Sequence, residues 1–265
     1  MLHFGSSAIC TGLCLAWLGA CSAAQPKSRD AVFGGTGALV KELPLAPAPA
    51  SSGTGPCAQG VPPSDVALLD DFEDGDNKPF KGYHREAWWF TVSDHTEGSK
   101  LSPDGKFAPA RLAAAESNPP DNLFAAHVQA SGQTEWGALF ATTLRWSDAG
   151  LKCPLNVSAF RGVKFRAKGP GSVRFKVDVP GTTPTDYGGE CTKGCYDSPG
   201  KVITLSDHWD EYVVPWDRLQ QGGWGTEVRF DPARVLGVGF AIDVKALPAD
   251  FWVDDIALIP KATAP

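Results

Sequence analysis

Short segments that alternate apolar and polar residues constrain the fold of this chain more than any other feature. Residues 160–168 place Val163 and Phe165 on one face and Lys164 on the other, and residues 172–179 repeat the pattern. Such period-two alternation is typical of β-strands with one buried face. Ten strands are predicted, at residues 66–73, 87–93, 123–130, 136–145, 160–168, 172–179, 201–206, 210–217, 234–243 and 250–259.

Turn-forming residues separate these segments and set the fold class. The 265 residues include 29 Gly and 22 Pro, which favours many short connections over long helices. Residues 111–116 are the one candidate for a short helix. We therefore predict an all-β, two-sheet antiparallel β-sandwich of the jelly-roll type over residues 63–260, with a tail at 261–265.

The segment Gly169-Pro170-Gly171 predicts a tight hairpin between two of the strands. In that register Arg166 lies opposite Arg174, and Lys164 lies opposite Lys176. Like charges that face each other across strands are destabilising. Either neighbouring strands supply carboxylates to this face, or the face binds an anionic ligand.

The N-terminus resembles the signal sequence of bacterial lipoproteins. Residues 4–20 contain no Lys, Arg, Asp or Glu, and the run ends in Leu-Gly-Ala before Cys21, as in a lipobox. This resemblance implies a signal peptide at residues 1–20, an acyl anchor such as palmitate on Cys21, and, since Ser22 follows, an exported outer-membrane lipoprotein at the cell surface or in the periplasm. The start of the chain lacks the usual Lys or Arg, and an ordinary secretory signal cleaved nearby is the alternative.

Residues 21–62 are rich in Ala, Pro, Gly and Ser. Such a composition buries too little apolar surface to offset chain entropy, so we predict a disordered, lipid-anchored tether.

Four cysteines remain after the signal peptide and the lipid site: Cys57, Cys153, Cys191 and Cys195. An even number in an exported protein favours two disulfides, for which three connectivities exist. The short spacing of Cys191 and Cys195 favours a local loop, which leaves Cys57 to pair with Cys153. A zinc site is the alternative, although the chain has no second closely spaced pair.

Three segments carry a resemblance to a known family. They are Leu68–Gly75, which contains Asp-Phe-Glu, Trp209–Trp216, and Phe251–Leu258, which contains Val-Asp-Asp. In order they resemble the galactose-binding-like jelly-roll carbohydrate-binding modules, especially family eleven and its relatives, over roughly residues 64–260. The resemblance implies two antiparallel sheets, a concave face that binds a polysaccharide or other glycan, and often one structural Ca²⁺.

The resemblance also implies where that calcium binds. Glu73 and Asp255 are its predicted ligands, with Asp71 next, because carboxylate oxygens suit calcium and the two terminal strands of such modules lie side by side. The alternative is a solvated acidic turn together with surface aspartates.

Aromatic residues are the first candidates for ligand binding, because an exposed ring stacks on the apolar face of a sugar. Trp88 and Trp89 are neighbours in a predicted strand, so one points to the core and the other outward. Core packing is the alternative for every tryptophan. Further candidates are Trp136, Trp146, Tyr187 and Trp224.

Charged residues of the predicted hairpin are the second group of candidates. We expect Arg166, Arg174, Lys176 and Asp178 to hydrogen-bond sugar hydroxyls or uronate groups, and Asp243 to join them from a neighbouring strand. A salt-bridged outer sheet without a ligand is the alternative.

These features favour non-catalytic carbohydrate binding by a monomeric envelope lipoprotein whose only membrane contact is its lipid. The net charge of −6 argues against nucleic acid as a partner. A structural or adhesion subunit that binds proteins is one alternative. A polysaccharide lyase or glycosidase is another, with His84 and Arg85 as candidates, although no nucleophile or metalloenzyme motif stands in a supportive context.

Overall fold

The computed structural model describes residue 57 and residues 67–79, 87–116, 119–147 and 149–262. In these residues the protein is all-β, with two antiparallel sheets packed as a sandwich. The twelve strands are β1 (Leu68–Asp70), β2 (Trp89–Ser93), β3 (Lys100–Ser102), β4 (Ala110–Arg111), β5 (Phe124–Ser131), β6 (Ala138–Thr143), β7 (Phe160–Lys168), β8 (Ser172–Asp178), β9 (Gly200–Thr204), β10 (Asp210–Pro215), β11 (Gly237–Ile242) and β12 (Ala249–Pro260). Short 3-10 helices lie at Pro180–Thr182, Thr185–Tyr187, Trp216–Arg218 and Val244–Ala246.

Every predicted strand segment contains a strand, so the predicted fold class is confirmed. The two strands that were not predicted, β3 and β4, have three and two residues and carry no readable alternation. The predicted helix at 111–116 is wrong, since Arg111 pairs with β5 and a turn follows at residues 114–116. No helix in the described ranges has the length and apolar character needed to span a bilayer.

Sheet A has the strand order β10-β7-β12-β5-β3. The long closing strand β12 pairs with β7 along one edge, and with β5 and then the opening strand β1 along the other. The first and third resemblance segments therefore do lie side by side. Sheet B has the order β2-β6-β11-β8-β9 and is formed entirely of antiparallel pairs.

Aromatic residues from both sheets fill the space between them. The Phe165 ring from sheet A lies 5.7 Å from Phe175 and 5.0 Å from Phe240, both of sheet B. Trp89 stacks on Phe140 at 4.6 Å. These rings are fully buried, and burying each one contributes about 2–3 kcal/mol.

The predicted hairpin at Gly169–Gly171 is wrong, because β7 belongs to sheet A and β8 to sheet B. The turn is a crossover between the sheets, and Phe165 meets Phe175 across the core rather than side by side. Arg166 and Arg174 consequently lie on opposite outer faces of the sandwich. Arg166 lies opposite Glu211 and Asp254 in sheet A, whereas Arg174 lies opposite Val202 and Ala241 in sheet B. The expected repulsion between like charges therefore does not arise.

The crossover depends on Gly169, which packs against β12. A Cβ atom on Gly169 would lie 2.4 Å from the Asp250 carbonyl oxygen and 2.9 Å from Phe251 Cα. We expect Gly169→Ala to lower the free energy of unfolding by about 3 kcal/mol, from overlap with backbone and from an unfavourable φ. Urea denaturation followed by tryptophan fluorescence measures this change.

Gly171 provides the matched control in the same turn. Its φ is +83°, but a Cβ there would meet no atom of the described residues within 4 Å. Gly171→Ala should cost only about 1 kcal/mol. Equal losses for the two variants would contradict the packing role of Gly169.

Both favoured disulfides are present, Cys57–Cys153 and Cys191–Cys195. The other N-terminal predictions lie outside the described residues: the signal peptide at 1–20, the lipid on Cys21, and the tether at 21–62 apart from Cys57 itself.

Candidate functional site

The outer face of sheet B offers a broad surface that changes character from one edge to the other. Phe90, Ala141, Gly239, Lys176 and Gly200 lie side by side across its five strands, because each is the register partner of the next. The row is aromatic at β2, small in the middle and cationic at β8. Ala141 and Gly239 at the centre of the row are buried.

The next row of the same face is mostly apolar. It runs through Val92, Leu139, Ala241, Arg174 and Val202. Val202 at the β9 edge is 45% exposed. Arg174 on β8 is the one charged residue of this row and interrupts an otherwise apolar strip.

Trp88 lies beside this face at the start of β2. Since Trp89 is fully buried in the core, the preceding residue points outward. Trp88 is 47% exposed, and its ring stacks on Trp146 with a centroid distance of 5.4 Å and an interplanar angle of 7°. The prediction that the pair points to opposite faces is confirmed, but Trp89 is wrong as a ligand-binding residue.

A short two-stranded turn brings Trp146 to that position. Trp146 pairs with Lys152, and the turn is closed by a hydrogen bond of 2.8 Å from the Ser147 amide to the Leu151 carbonyl. One strand of the turn carries Trp146, which supports the Trp88 ring. The other strand carries Lys152, whose ammonium group reaches Asp178 at the end of β8.

Lys152, Asp178 and Lys176 form what we call the Lys–Asp–Lys cluster. Each ammonium group lies 3.2 Å from a different oxygen of the Asp178 carboxylate, which also accepts a hydrogen bond of 2.9 Å from Ser198. Burial alone would raise the pKa of Asp178, but Lys176 and Lys152 outweigh burial and hold that pKa well below its usual range. The carboxylate is therefore charged and shared by two cations.

Arg174, one row away, braces a loop. Its guanidinium donates to the backbone carbonyls of Ser198 and Gln220. Burial lowers the pKa of Arg174, and the nearby charge of Asp197 opposes that effect. Asp243 is exposed and caps the 3-10 helix Val244–Ala246, because its carboxylate accepts a hydrogen bond from the Lys245 amide. The side chains of Arg174 and Asp243 thus both form hydrogen bonds with backbone groups of the protein.

Two exposed tyrosines lie near the Lys–Asp–Lys cluster. Tyr187 is 50% exposed, and its carbonyl accepts a hydrogen bond of 3.0 Å from the Lys152 amide. Tyr196 is 56% exposed, and its pKa is raised by partial burial and by the neighbouring charges of Tyr187 and Asp178. Tyr187 was predicted as a ligand-binding residue because it lies in a long loop. No local sequence pattern predicted a role for Tyr196 or Lys152.

Buried Asp197 shapes a second aromatic loop. Its carboxylate accepts hydrogen bonds of 2.6–3.1 Å from the four backbone amides of residues 222–225. The loop holds Trp224, which is 60% exposed.

Trp136 lies in a similar turn and is 46% exposed. In this turn the Asp94 carboxylate accepts hydrogen bonds from Thr96, Gly137 and Glu135, which outweigh burial and lower the pKa of Asp94 to about 2.

The outer face of sheet A is occupied by its own contacts. Arg166 lies 3.5 Å from Asp255 and over the Trp209 ring. Trp252 stacks on His127 at 4.0 Å. The structure therefore separates Arg166 from the other predicted ligand-binding residues.

The predicted calcium ligands are engaged with protein donors. Glu73 Oε1 accepts two hydrogen bonds of 2.8 Å, from the backbone amides of Leu123 and Phe124. The Asp71 carboxylate accepts one hydrogen bond from the Glu73 amide. The Asp255 carboxylate faces the Arg166 guanidinium. Within the described ranges, no three His, Cys, Asp or Glu side chains are placed to hold a metal ion. The carboxylates predicted to bind calcium thus accept hydrogen bonds or face a cation, and calcium binding stays a prediction.

Two other carboxyl groups are buried at the join between the terminal strands. Burial raises the pKa of Asp70 and of Asp254 to about 7. Asp70 accepts hydrogen bonds from Trp89 Nε1 at 2.6 Å and from the Phe72 amide at 2.7 Å, and Asp254 accepts one from Asn122 at 2.9 Å. Their bonds tie the opening turn and the closing strand to the fold.

A depression of about 290 Å³ is lined by Arg111, Leu112, Ala114, Pro120 and Leu123. None of these is a carboxylate or a histidine, so the depression lacks the acid pair of a glycosidase. The lyase candidates His84 and Arg85 lie outside the described residues.

No family model matches this chain. Over 251 residues it is 24% identical to Endoglucanase 3 of Fibrobacter succinogenes, and the match covers 88% of this chain and 32% of the endoglucanase. The chain thus spans about a third of the length of that curated relative.

Similar solved structures include carbohydrate-binding modules from Clostridium thermocellum. A family 11 module of a cellulosomal cellulase is 18% identical, covers 73% of this chain and 94% of the module, and has a TM-score of 0.44. A family 30 module of another cellulosomal cellulase is also 18% identical, covers 71% and 99%, and has a TM-score of 0.46. Family 11, predicted from the three sequence segments, is thus among the matches.

Proposed function

We propose that this protein binds a polysaccharide on the outer face of sheet B and does not catalyse its cleavage. The observation that carries the proposal is the Trp88–Trp146 stack, which supports a half-exposed indole ring beside a row of small residues. An indole held against a second ring presents its free face to the apolar side of a sugar ring with little loss of side-chain entropy.

Polar groups of the same face supply the other half of sugar recognition. Lys176 and Asp178 offer a donor and an acceptor, and the exposed Tyr187 and Tyr196 add hydroxyl groups. Carbohydrate ligands need both an apolar platform and fixed hydrogen-bonding groups, and ligand sites commonly combine the two.

The comparisons support this reading. Endoglucanase 3 is named for an activity on glucans, and this chain aligns with about a third of it. In the proposal the aligned part corresponds to a binding domain, and the lipid on Cys21 with its tether holds that domain at the outer membrane or cell surface. The predicted ligand there is a polymer too large to enter the cell.

Retention by immobilised polysaccharides tests the proposal. The full chain is run through affinity gels that contain cellulose derivatives, mixed-linkage β-glucan, xylan, mannan or uronans, and mobility is compared with that of a non-binding reference protein. We expect retardation by at least one polymer, and no new reducing ends or unsaturated products after prolonged incubation. Unretarded migration in every gel would contradict binding, and release of oligosaccharides would contradict the non-catalytic role.

A further inference from the structure

The Lys–Asp–Lys cluster carries more positive charge than its own carboxylate neutralises. Lys152 and Lys176 each contact Asp178 at 3.2 Å, so two ammonium groups share one carboxylate. In the described part of the chain, no second carboxylate lies within ion-pair distance of either ammonium group. The cluster as a whole therefore has an excess of one positive charge.

This excess charge is largely removed from water. The side chains of Lys152, Asp178 and Lys176 are 15%, 17% and 13% exposed. Removing a charge from water without a partner is costly, and the cost falls when an anion enters. Each ammonium group also has three N–H donors, which one shared carboxylate does not exhaust.

The cluster lies in line with the aromatic platform. Asp178, Gly237 and Thr143 are register partners across β8, β11 and β6, and Trp88 precedes the residue that pairs with Thr142. Three strand spacings, about 14 Å, separate β2 from β8. Among the described residues, the buried Thr143 hydroxyl in the same row finds no hydrogen-bond partner.

We infer that the glycan is acidic, and that the Lys–Asp–Lys cluster binds the carboxylate of a uronic acid residue while another ring of the chain stacks on Trp88. This inference rests on the proposed function and specifies its ligand class. Hydrogen bonds between ammonium groups and carboxylates are charge-assisted and stronger than those to neutral hydroxyls. The cluster also discriminates against neutral glycans, because a neutral glycan leaves the excess positive charge buried and unpaired.

Matched polymers test the charge class directly. The full chain is titrated calorimetrically with glucuronan, polygalacturonate and alginate, and with the same polymers after their carboxyl groups are reduced to alcohols. We expect reduction to weaken binding at least about tenfold for the preferred polymer, which corresponds to one lost charge-assisted contact. Added salt should weaken binding to the acidic form more than to the reduced form.

Two substitutions locate the effect. Lys176→Met should weaken binding to the acidic polymer about tenfold and change binding to the reduced polymer by less than about twofold. Lys164→Met is the control, because Lys164 pairs with Glu211 on the outer face of sheet A and should leave both affinities unchanged. If Lys176→Met unfolds, as judged by circular dichroism, Lys152→Met serves in its place.

The outcomes separate this inference from the proposal beneath it. Equal affinity for acidic and reduced polymers, or a preference for neutral glucans, overturns the inference and leaves polysaccharide binding standing. Binding to none of the acidic, reduced or neutral polymers overturns the proposed function itself.

Discussion

Replacing Trp88 by alanine should lower the affinity for the retained polysaccharide by about thirtyfold, or about 2 kcal/mol. The reason is the loss of a half-exposed ring that a second aromatic ring holds in a parallel stack beside the outer face of sheet B. Because Trp88 contributes little to the core, the variant should fold normally. Isothermal titration with the preferred polysaccharide measures the change, and circular dichroism checks the fold.

Trp252 provides a matched control for this experiment. It also stacks on a neighbouring ring, that of His127, but on the outer face of sheet A. Trp252→Ala should therefore leave the affinity within about twofold of the parent, because that face is outside the proposed site. If Trp252→Ala abolished binding and Trp88→Ala preserved it, the site would belong to sheet A.

Replacing Asp70 by alanine should lower the free energy of unfolding by about 3 kcal/mol. The side chain is 3% exposed and accepts hydrogen bonds from Trp89 Nε1 and the Phe72 amide. Without the carboxyl group both donors stay buried and unpaired, which costs about 1–3 kcal/mol each, and part of that cost is offset because a desolvated carboxyl is no longer buried. Since domains are stable by only 5–15 kcal/mol, chemical denaturation should show a large shift of midpoint.

Asp71 is the control at the next position. Its Oδ1 accepts one hydrogen bond of 3.3 Å from the Glu73 amide in a half-buried turn, so Asp71→Ala should cost about 1 kcal/mol or less. A double-mutant cycle with Trp89→Phe isolates the indole contact, and the double variant should lose less stability than the sum of its parts. Strict additivity would show that the Asp70–Trp89 hydrogen bond contributes nothing.

The strands could be predicted from the sequence because alternation is a local property. Segments such as 160–168 and 172–179 carry their own evidence of one buried face, whichever strands they pair with. The pairing itself is not local. Gly169-Pro170-Gly171 marks a reversal of the chain equally well for a hairpin and for a crossover, and contacts with Asp250 and Phe251, eighty residues away, decide between them.

The site was only partly predictable for the same reason. Neighbouring positions in a strand alternate, so one of Trp88 and Trp89 had to point outward. The partner of Trp88 in the stack comes from a turn almost sixty residues later, and no spacing rule joins them. Lys152 was missed because it stands outside every alternating segment, and it reaches Asp178 only through the turn that carries Trp146.

The Cys57–Cys153 disulfide determines how the domain carries mechanical load. A force applied to the chain before residue 57 passes through the sulfur–sulfur bond directly to residue 153. The intervening chain, including β1 and its pairing with β12, is bypassed and is not peeled away strand by strand. Residue 153 directly follows the turn that holds Trp146 and Lys152, so the pulling point and the proposed binding face meet at one covalent junction. A domain linked in this way can resist a force applied before residue 57 without unfolding from its first strand.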